Sequence, residues 1–480
     1  MVSRRQFLTI GAGGLVSAGL GSRAIAQTPK RGGTLSLRTW DPPHFDHILA
    51  HAYKTHVVTS FTHNRLLRHK AGPGVRPGTF PIEGDLAESW QQTSETSYVF
   101  KLRKGVRFHA KPPVNGRELT AEDVRYTFEH ILSEKGSANV SMFRAIGKIE
   151  ALDRYSVKFT LKEPFAWFLD MIANPMAGAI IARECVEKFG DLKKPEAVIG
   201  TGPWMLDAYR PNVSLTLVRN PAYFVAGLPY IDRVEMFVDE DNASRLAAFL
   251  GGKYDLGWEF PGAINRSDWV QLVEPLKKRR PALKVAEFPS NVVNLIDMRT
   301  DKPPFSDVRV RQAVSLAIDR KGMIDATLEG IGAVNGPLPA ALSDWALPIA
   351  ELGEGAKYYR YDPAEAKRLL AAAGHPNGLP ASVCFATYGS TMLVDTMQLL
   401  LKDLKAVGIG RPWTRRSTAR IRPPAGSVNS IRWCSDRSRR SSSPTASSSA
   451  STTRGSRAIA VTWPIPPSTT CSSASGGPPT

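Results

Sequence analysis

The sequence predicts a mixed α/β fold built as several lobes. Its 480 residues correspond to about three domains at ~150 residues per domain. Hydrophobic residues make up 42 % and charged residues 22 %, which is typical of a globular protein with a substantial core. Stretches with strand and helix patterns follow one another irregularly along the chain. The composition excludes a disordered or collagen-like chain, and four cysteines in this length exclude a disulfide-scaffolded mini-domain.

Three stretches have the apolar–polar alternation of half-buried strands. They are residues 30–38, which begin with a basic turn, residues 98–103, and residues 155–161. Lys104-Gly105 follows the second stretch and predicts a turn. The density of Gly and Pro in 71–81 predicts a surface loop.

A helix with a clear start is predicted after residue 119. Thr120 and Asp123 have the spacing of a capping box, in which each residue satisfies a backbone N–H of the first helical turn. Val124, Phe128 and Ile131 then supply one apolar face.

Two later helices have equally clear ends. Asp362-Pro363 is typical of a helix N-terminus, and Gly374 predicts the stop. Residues 393–407 repeat apolar side chains at helical spacing and end at Gly408.

The formal net charge of +18 is unevenly distributed. Residues 411–480 contribute +10 from eleven Arg and one Asp, and the first 26 residues contribute +3 from Arg4, Arg5 and Arg23. The body between them carries +5, which is too little to indicate a polyanionic partner. We therefore expect no nucleic-acid partner for the body.

The N-terminus has the pattern of an export signal. Arg4-Arg5 stand in an S-R-R-x-F-L setting that resembles the twin-arginine signal, and an apolar run rich in small residues continues to about Leu20. This run is too short for a membrane span. We expect a signal peptide over 1–26, cleavage after about Ala26 and a periplasmic location, with an uncleaved anchor as the alternative.

Residues 411–480 differ from the body in composition. Their basic residues are all Arg, serine runs occur at 441–443 and 447–449, and neither helix nor strand periodicity follows Gly410. One interpretation is a disordered Arg/Ser-rich tail that binds nucleic acid. We favour a shift of the reading frame near 408–410, which makes the Arg/Ser/Pro-rich tail out-of-frame translation, and we expect it to be disordered. Sequencing the DNA across codon 410 tests this hypothesis, and an intact frame would contradict it.

No catalytic signature is present. The sequence has no G-x-S-x-G, H-E-x-x-H, P-loop or C-x-x-C motif. GIGAVN at 330–335 lacks the third Gly of a dinucleotide fingerprint and follows a helical pattern, so it predicts a turn. Glu122, Asp123 and Asp307 fit helix caps or surface pairs better than catalytic acids. We expect no enzyme and no cofactor, and we expect Cys185 and Cys384 to be buried, isolated thiols.

Six of the nine His residues fall between positions 44 and 69, within a helix predicted from about Phe45 to Leu67. On such a helix His44, His47 and His51 would share one side and could ligate a transition metal. The alternative is a partly exposed amphipathic helix that is rich in His. This alternative is favoured because no Cys lies nearby and Asp46 supplies the single close carboxylate.

Several blocks in order resemble the extracytoplasmic solute-binding proteins of peptide and nickel ABC transporters, family 5 type. The blocks are LAESW at 86–90, YVFKLRKGVRFH at 98–109, LTAEDV at 119–124, GTGPW at 200–204, RNPAYF at 219–224, PFSDVRVRQA at 304–313, AIDR at 317–320 and YDPAEAKRLL at 361–370, followed by AG at 373–374. Together they cover about residues 30–409.

The resemblance implies a two-lobed periplasmic-binding-protein-like fold with an extra inserted domain. The first lobe is expected at 27–47 and 165–290, the inserted domain at 48–164, and an incomplete second lobe at 291–410. A peptide or other small-molecule ligand would be enclosed by hinge closure. The closed form, expected to be a monomer, would dock on a membrane permease with its ATPase. A nickel-type metal carrier that uses the His cluster is the alternative.

The resemblance also implies ligand contacts at the loop after the first strand, at two residues near 258 and near the hinge. The candidates are Phe45, Asp46, Trp258, Glu259, Asn291 and Asn294. Asp46 or Glu259 would pair with a ligand amine, and Trp258 or Phe45 would pack on its apolar part.

The sequence departs from the family pattern after about residue 410. Relatives continue past this point, complete the second lobe and return to the first. The carboxylate that binds a peptide's amino terminus in peptide-binding relatives lies in that stretch, and nothing after residue 410 matches it. We therefore expect weak or no ligand binding and low stability from this polypeptide. A cooperative melt that peptide shifts upward would contradict that expectation.

Overall fold

The computed structural model describes residues 29–50, 52–72, 74–76, 78–257, 266–285, 293–342, 344–381, 383–384, 391–410 and 430–433. The strands are β1 Thr34–Thr39, β2 Leu67–His69, β3 Ile82–Gly84, β4 Ala87–Ser94, β5 Ser97–Leu102, β6 Ile146–Asp153, β7 Ser156–Leu161, β8 Trp204–Arg210, β9 Ser214–Arg219, β10 Arg233–Val238, β11 Leu295–Asp297, β12 Val383–Cys384 and β13 Ser430–Trp433. The α-helices are α1 Tyr53–Thr62, α2 Ala121–Ser133, α3 Val140–Phe143, α4 Phe168–Ala173, α5 Arg183–Phe189, α6 Asn242–Gly251, α7 Arg266–Arg279, α8 Val308–Leu316, α9 Arg320–Leu328, α10 Pro363–Ala372 and α11 Thr391–Ala406.

A four-stranded sheet of order β1-β10-β9-β8 joins the start of the described chain to strands far along it. β1 and β10 run parallel, with Thr34 opposite Arg233 and Thr39 opposite Val238, whereas the other pairs are antiparallel. One face of the sheet supplies a core that includes Leu37, with the core-facing side chains of β9 and β10. The sheet thus contains strands from both segments expected for the first lobe.

A second four-stranded sheet, of order β4-β5-β7-β6, is antiparallel throughout. Its inward side chains alternate along β7, where Val157, Phe159 and Leu161 are buried, as the sequence pattern predicts. The core of this sheet also takes in side chains from 168 to 199, beyond the boundary at 164 expected from sequence.

Helix α2 covers this second sheet and begins as predicted. The backbone N–H of Thr120 donates to Oδ2 of Asp123 at 2.8 Å, and Arg117 holds the same carboxylate through two nitrogens at 2.9 and 2.6 Å. The predicted face of Val124, Phe128 and Ile131 is buried. The capping prediction is confirmed.

A third core lies among α8, α10 and α11. Asp307 caps α8 by accepting from the backbone N–H of Arg309 at 2.8 Å, and Asp362 caps α10 by accepting from that of Glu365 at 2.9 Å. Asp307 therefore has the capping role that the sequence indicates. Leu379 and Ile409 form a parallel bridge beside this core.

Strand β13, beyond Gly410, forms a sheet with β11 and β12, two strands of the segment expected for the second lobe. It pairs in parallel with β11 and antiparallel with β12. The expectation of a tail without regular structure is wrong at these four residues. Pairing with strands distant in sequence creates this strand, so local periodicity gave no signal for it.

The His-rich helix predicted from Phe45 to Leu67 is shorter than expected. α1 begins only at Tyr53 and ends at Thr62, while residues 47–49 form a turn. The carboxylate of Asp46 accepts hydrogen bonds from the backbone N–H groups of Ile48 and Leu49. These bonds take the place of helical hydrogen bonds in this segment.

Two smaller predictions are confirmed. GIGAVN at 330–335 follows α9 without a preceding strand, and Gly330 has a φ of +76°, typical of a turn. Cys185 is a buried thiol without a disulfide, whereas the side chain of Cys384 lies outside the described set. None of the helices in the described ranges is both long and apolar enough to cross a membrane.

Candidate functional site

The carboxyl ends of β1 and β10 lie at one edge of the first sheet because the two strands are parallel. Ligands of open α/β sheets bind at such an edge. Residues 40–46 and 239–245 leave the sheet there side by side, and residues 254–255 return beside β1. We call these residues, together with Arg38 and with Tyr209 of β8, the β1–β10 edge.

Arg38 is the buried cation of the β1–β10 edge. Arg38 is 2 % exposed, and its Nε donates to the backbone carbonyl of Asp239 at 2.6 Å. The guanidinium carbon lies 4.2 Å from the ring centroid of Trp40. Burial, with repulsion from Arg245, lowers the pKa of Arg38 to about 10. The guanidinium is therefore charged at neutral pH.

Two tyrosines bond to carboxylates at the same edge. The hydroxyl of Tyr209 donates to Asp41 at 3.1 Å, and that of Tyr254 donates to Asp239 at 3.2 Å. Burial, reinforced by these carboxylates, raises the pKa of each tyrosine to about 12. Both hydroxyls therefore remain protonated at neutral pH, where they act as hydrogen-bond donors.

Phe45 and Asp46, two of the predicted ligand contacts, are both buried. The ring of Phe45 meets that of Tyr209 edge-on at a centroid distance of 5.0 Å. The carboxylate of Asp46 accepts from the N–H groups of Ile48 and Leu49 at 3.0 Å each, and from that of Leu192 at 3.1 Å. Both carboxylate oxygens thus hold the backbone, which explains the burial of Asp46 without a ligand amine.

The other predicted contacts are less informative. Trp258, Glu259 and Asn291 lie outside the described residues, and Asn294 is exposed. The chain that leads to Trp258 leaves from beside β1, because the N–H of Asp255 donates to the carbonyl of Ser36 at 2.9 Å.

The His residues do not line one side of a helix. The metal hypothesis requires His44, His47 and His51 on one side of a helix. His44 and His47 precede α1, so this prediction is wrong for these two residues. His51 lies outside the described residues. The buried rings of His47 and His63 have centroids 5.1 Å apart, and burial lowers the pKa of both. Across the described ranges, no three His, Cys, Asp or Glu side chains are arranged to hold a metal ion.

The loop 71–81 and Trp167 meet Ala341, Asp344 and Trp345, which belong to the segment expected for the second lobe, and we call this meeting the loop contact. Nη2 of Arg76 lies 2.5 Å from both carboxylate oxygens of Asp344. The rings of Trp167 and Trp345 have centroids 5.6 Å apart. Gly78 has a φ of +82°, and a Cβ there would lie 1.8 Å from the carbonyl oxygen of Ala341. The close approach at this point therefore requires glycine.

Sequence reasoning missed Arg38, Tyr209 and Tyr254 as residues of the edge. The local signal was slight, namely an arginine two residues before a tryptophan at the end of a predicted strand. The partners of these residues are far away in sequence, with 168 residues separating Tyr209 from Asp41.

Comparison with known proteins identifies the family. The family model described as "Bacterial extracellular solute-binding proteins, family 5 Middle" matches residues 81–410. Heme-binding protein A of Haemophilus influenzae is 30 % identical over 335 residues, which are 66 % of this chain and 57 % of that protein. A probable D,D-dipeptide-binding periplasmic protein of Escherichia coli is 30 % identical over 315 residues, 65 % of this chain and 56 % of that protein. The chain thus spans little more than half the length of these relatives.

A solved structure shares the fold. The periplasmic binding protein DppA from Helicobacter pylori, in complex with the peptide STSA, aligns with a TM-score of 0.64 and 25 % identity, over 79 % of this chain and 73 % of that one. The predicted α/β, two-lobed periplasmic-binding-protein-like fold is confirmed.

Proposed function

Because this chain belongs to the family 5 bacterial extracellular solute-binding proteins, we propose that it is the substrate-binding component of an ABC importer. It captures a peptide or similar small solute between two lobes and delivers it to a membrane permease and its ATPase. We also propose export to the periplasm through the signal peptide at 1–26. The protein binds its solute without chemical conversion and acts as a monomer.

The observation that carries this proposal is the extent of the family match. Residues 81–410 include the second sheet, strands β8–β10 of the first sheet and the helices of the second lobe. The chemistry of the β1–β10 edge supports binding as well. Its buried arginine is charged at neutral pH, while the hydroxyls of its two tyrosines already donate to Asp41 and Asp239.

The relatives suggest the class of solute. Their names specify heme, a D,D-dipeptide and a peptide, all of which carry carboxylates. A peptide held through its backbone and charged termini leaves its side chains in roomy pockets, which gives broad specificity. The loop contact supports closure, since it joins the second lobe to the loop 71–81.

The composition of 411–480 supports a shifted reading frame, and we propose that this tail impairs the chain. The test compares this chain with a version whose frame is restored after codon 410, by calorimetry and thermal shift with Met-Leu and glutathione. The restored chain should bind at least one probe saturably, release it unchanged, and exceed the original chain in affinity and melting temperature. Absence of binding by both chains, or conversion of a probe seen by mass spectrometry, would contradict the proposal.

Trp258 provides a test of the predicted ligand contacts. Trp258→Ala should weaken binding several-fold, because an indole that packs on apolar ligand surface would be lost. Trp90→Ala, a partly buried tryptophan in β4, is the control for general loss of an indole. Unchanged affinity in the Trp258 variant would remove this residue from the site.

A further inference from the structure

The positive charge of the body is concentrated at the end of α7. The body carries a formal charge of +5, and residues 266–285 alone contribute +4, from six basic and two acidic residues. Four of these basic residues are consecutive, at 277–280, where α7 ends. The net charge of the body is therefore a local feature and not a weak field spread over its surface.

Arg280 brings a further lysine to this place. Its guanidinium donates to the backbone carbonyls of Phe249, at 3.1 Å, and of Leu250, and so fastens the end of α7 to the end of α6. Lys253 follows the end of α6, and its backbone N–H donates to the carbonyl of Ala248 at 2.8 Å. The C-termini of two helices thus form one junction, and each of them contributes cations to it.

Four exposed cations belong to this junction, and we call them the basic patch: Lys253, Lys278, Arg279 and Lys284. Among the residues that the structure describes, none of the four pairs with a carboxylate, and Nζ of Lys253 lies 4.4 Å from the ring centroid of Phe237. The dipoles of the two helices offset about one of these charges, since each C-terminus is equivalent to roughly half a negative charge. The remaining like charges repel one another unless a partner of opposite charge neutralises them.

We propose that the basic patch binds the anionic headgroups of a phospholipid membrane. Clusters of about four or more Lys and Arg on a helix are typical of such binding. In the described ranges the side chains of Lys278, Arg279 and Lys284 have no hydrogen-bond partner that fixes their positions. Laterally mobile headgroups adapt to such side chains, whereas an acidic protein face must match the positions of the charges.

The contact is electrostatic and does not insert a helix into the membrane. The apolar side chains of α6 and α7 pack on each other, in a cluster that buries Phe249, Tyr254 and Leu276. Only the charged ends of the two helices therefore remain to meet the headgroups. This inference goes beyond the proposed function, because it concerns a surface that needs no solute.

Vesicle sedimentation tests the patch in the full chain without solute. The chain should bind vesicles of phosphatidylglycerol and phosphatidylcholine in equal parts, and added salt should release it. The triple variant Lys278→Gln, Arg279→Gln, Lys284→Gln should weaken binding by at least about tenfold, because each cation near an anionic surface strengthens binding roughly fivefold.

The matched control removes three exposed lysines that lie apart from one another, in the variant Lys135→Gln, Lys302→Gln, Lys402→Gln. This variant loses the same net charge but should weaken binding by no more than about twofold, because charges beyond a Debye length of the membrane are screened. All three chains keep the arginines of 1–26 and 411–480, which also attract anionic lipid. The difference between the two triple variants is therefore the readout.

Lysine acetylation, read by mass spectrometry, tests the wild-type chain directly. Vesicles that contain phosphatidylglycerol should slow the acetylation of Lys278 and Lys284 several-fold relative to vesicles of phosphatidylcholine alone. Lys302 should react equally in both. This measurement reports which residues face the membrane, so it decides the question even where the patch variant does not fold.

Equal weakening of binding in the two triple variants would overturn the proposal. Equal acetylation of Lys278 and Lys302 on anionic vesicles would overturn it as well. Protection of Lys278 by soluble polyglutamate but not by vesicles would also contradict it, and would assign the patch to an acidic protein surface. Solute capture is measured separately, so each of these outcomes leaves the proposed transport function standing.

Discussion

The glycine at the loop contact provides a sharp test of how the second lobe is held. We predict that Gly78→Ala separates the second lobe from the loop 71–81. The new Cβ would lie 1.8 Å from the carbonyl oxygen of Ala341, where ordinary contact begins at 3.4 Å. The two segments must therefore move apart by roughly 1.6 Å, because neither backbone is the flexible end of a side chain.

The same loop contains a matched control. Gly74 has a φ of +87°, close to the +82° of Gly78, but a Cβ there would meet no atom within 4 Å. Both alanine variants therefore incur a similar left-handed backbone penalty of roughly 1–2 kcal/mol. Only Gly78→Ala also disturbs the Arg76–Asp344 ion pair and the Trp167–Trp345 contact, which are together worth about 1–2 kcal/mol.

Small-angle X-ray scattering measures the consequence without a ligand. Gly78→Ala should increase the radius of gyration, because a change of about 1–2 kcal/mol shifts the balance of closed and open forms by roughly 5- to 30-fold. Gly74→Ala should scatter like the wild-type chain. Identical scattering from the two variants would refute the argument that the loop contact holds the lobes together.

Three further predictions concern stability, each checked by urea unfolding. Asp46→Ala should lower the free energy of unfolding by about 3–5 kcal/mol, because three backbone N–H groups lose a buried carboxylate. Exposed Asp301→Ala is the control. Lost ligand affinity at unchanged stability would instead support a ligand role for Asp46. The buried imidazole of His109 bonds through Nε2 to the carbonyl of Gly202, and burial lowers its pKa to about 4. As the pH falls, the unfolded chain therefore protonates His109 before the folded chain does, and the free energy of unfolding should fall by roughly 3 kcal/mol between about pH 6.5 and pH 4. His109→Gln should remove this pH-dependent loss. A variant with the same pH profile as the wild-type chain would contradict the prediction. Phe128→Ala should lower the free energy of unfolding by about 3–5 kcal/mol, since its ring is fully buried against the rings of Phe143 and Phe159. A loss as small as that of exposed Val140→Ala would contradict this prediction and show that the cavity collapses.

Local signals in the sequence were sufficient where the stabilising groups are close along the chain. The capping box of Thr120 and Asp123 and the Asp362 cap join residues three positions apart, so the sequence alone specifies these helix starts. Alternation along 155–161 likewise determines which side chains of β7 face the core. The ordered family blocks then indicated the fold that the comparisons confirm.

The same local reasoning failed where a side chain competed with the helix. The His-rich stretch predicted a helix from Phe45, but the carboxylate of Asp46 captures nearby backbone N–H groups and delays the helix to Tyr53. Its third bond, to the N–H of Leu192, crosses 146 residues and cannot be read from the pattern. A residue predicted to contact ligand therefore also holds the backbone of three other residues in place.

The sequence by itself determined the caps, the alternating strands and the family of this protein, because each depends on neighbours within a few residues or on the order of motifs. The tertiary structure alone decided which residues form the β1–β10 edge. Arg38 in isolation is an ordinary arginine in a strand. It is buried because β1 pairs in parallel with β10, which brings the carbonyl of Asp239, 201 residues away, to its Nε.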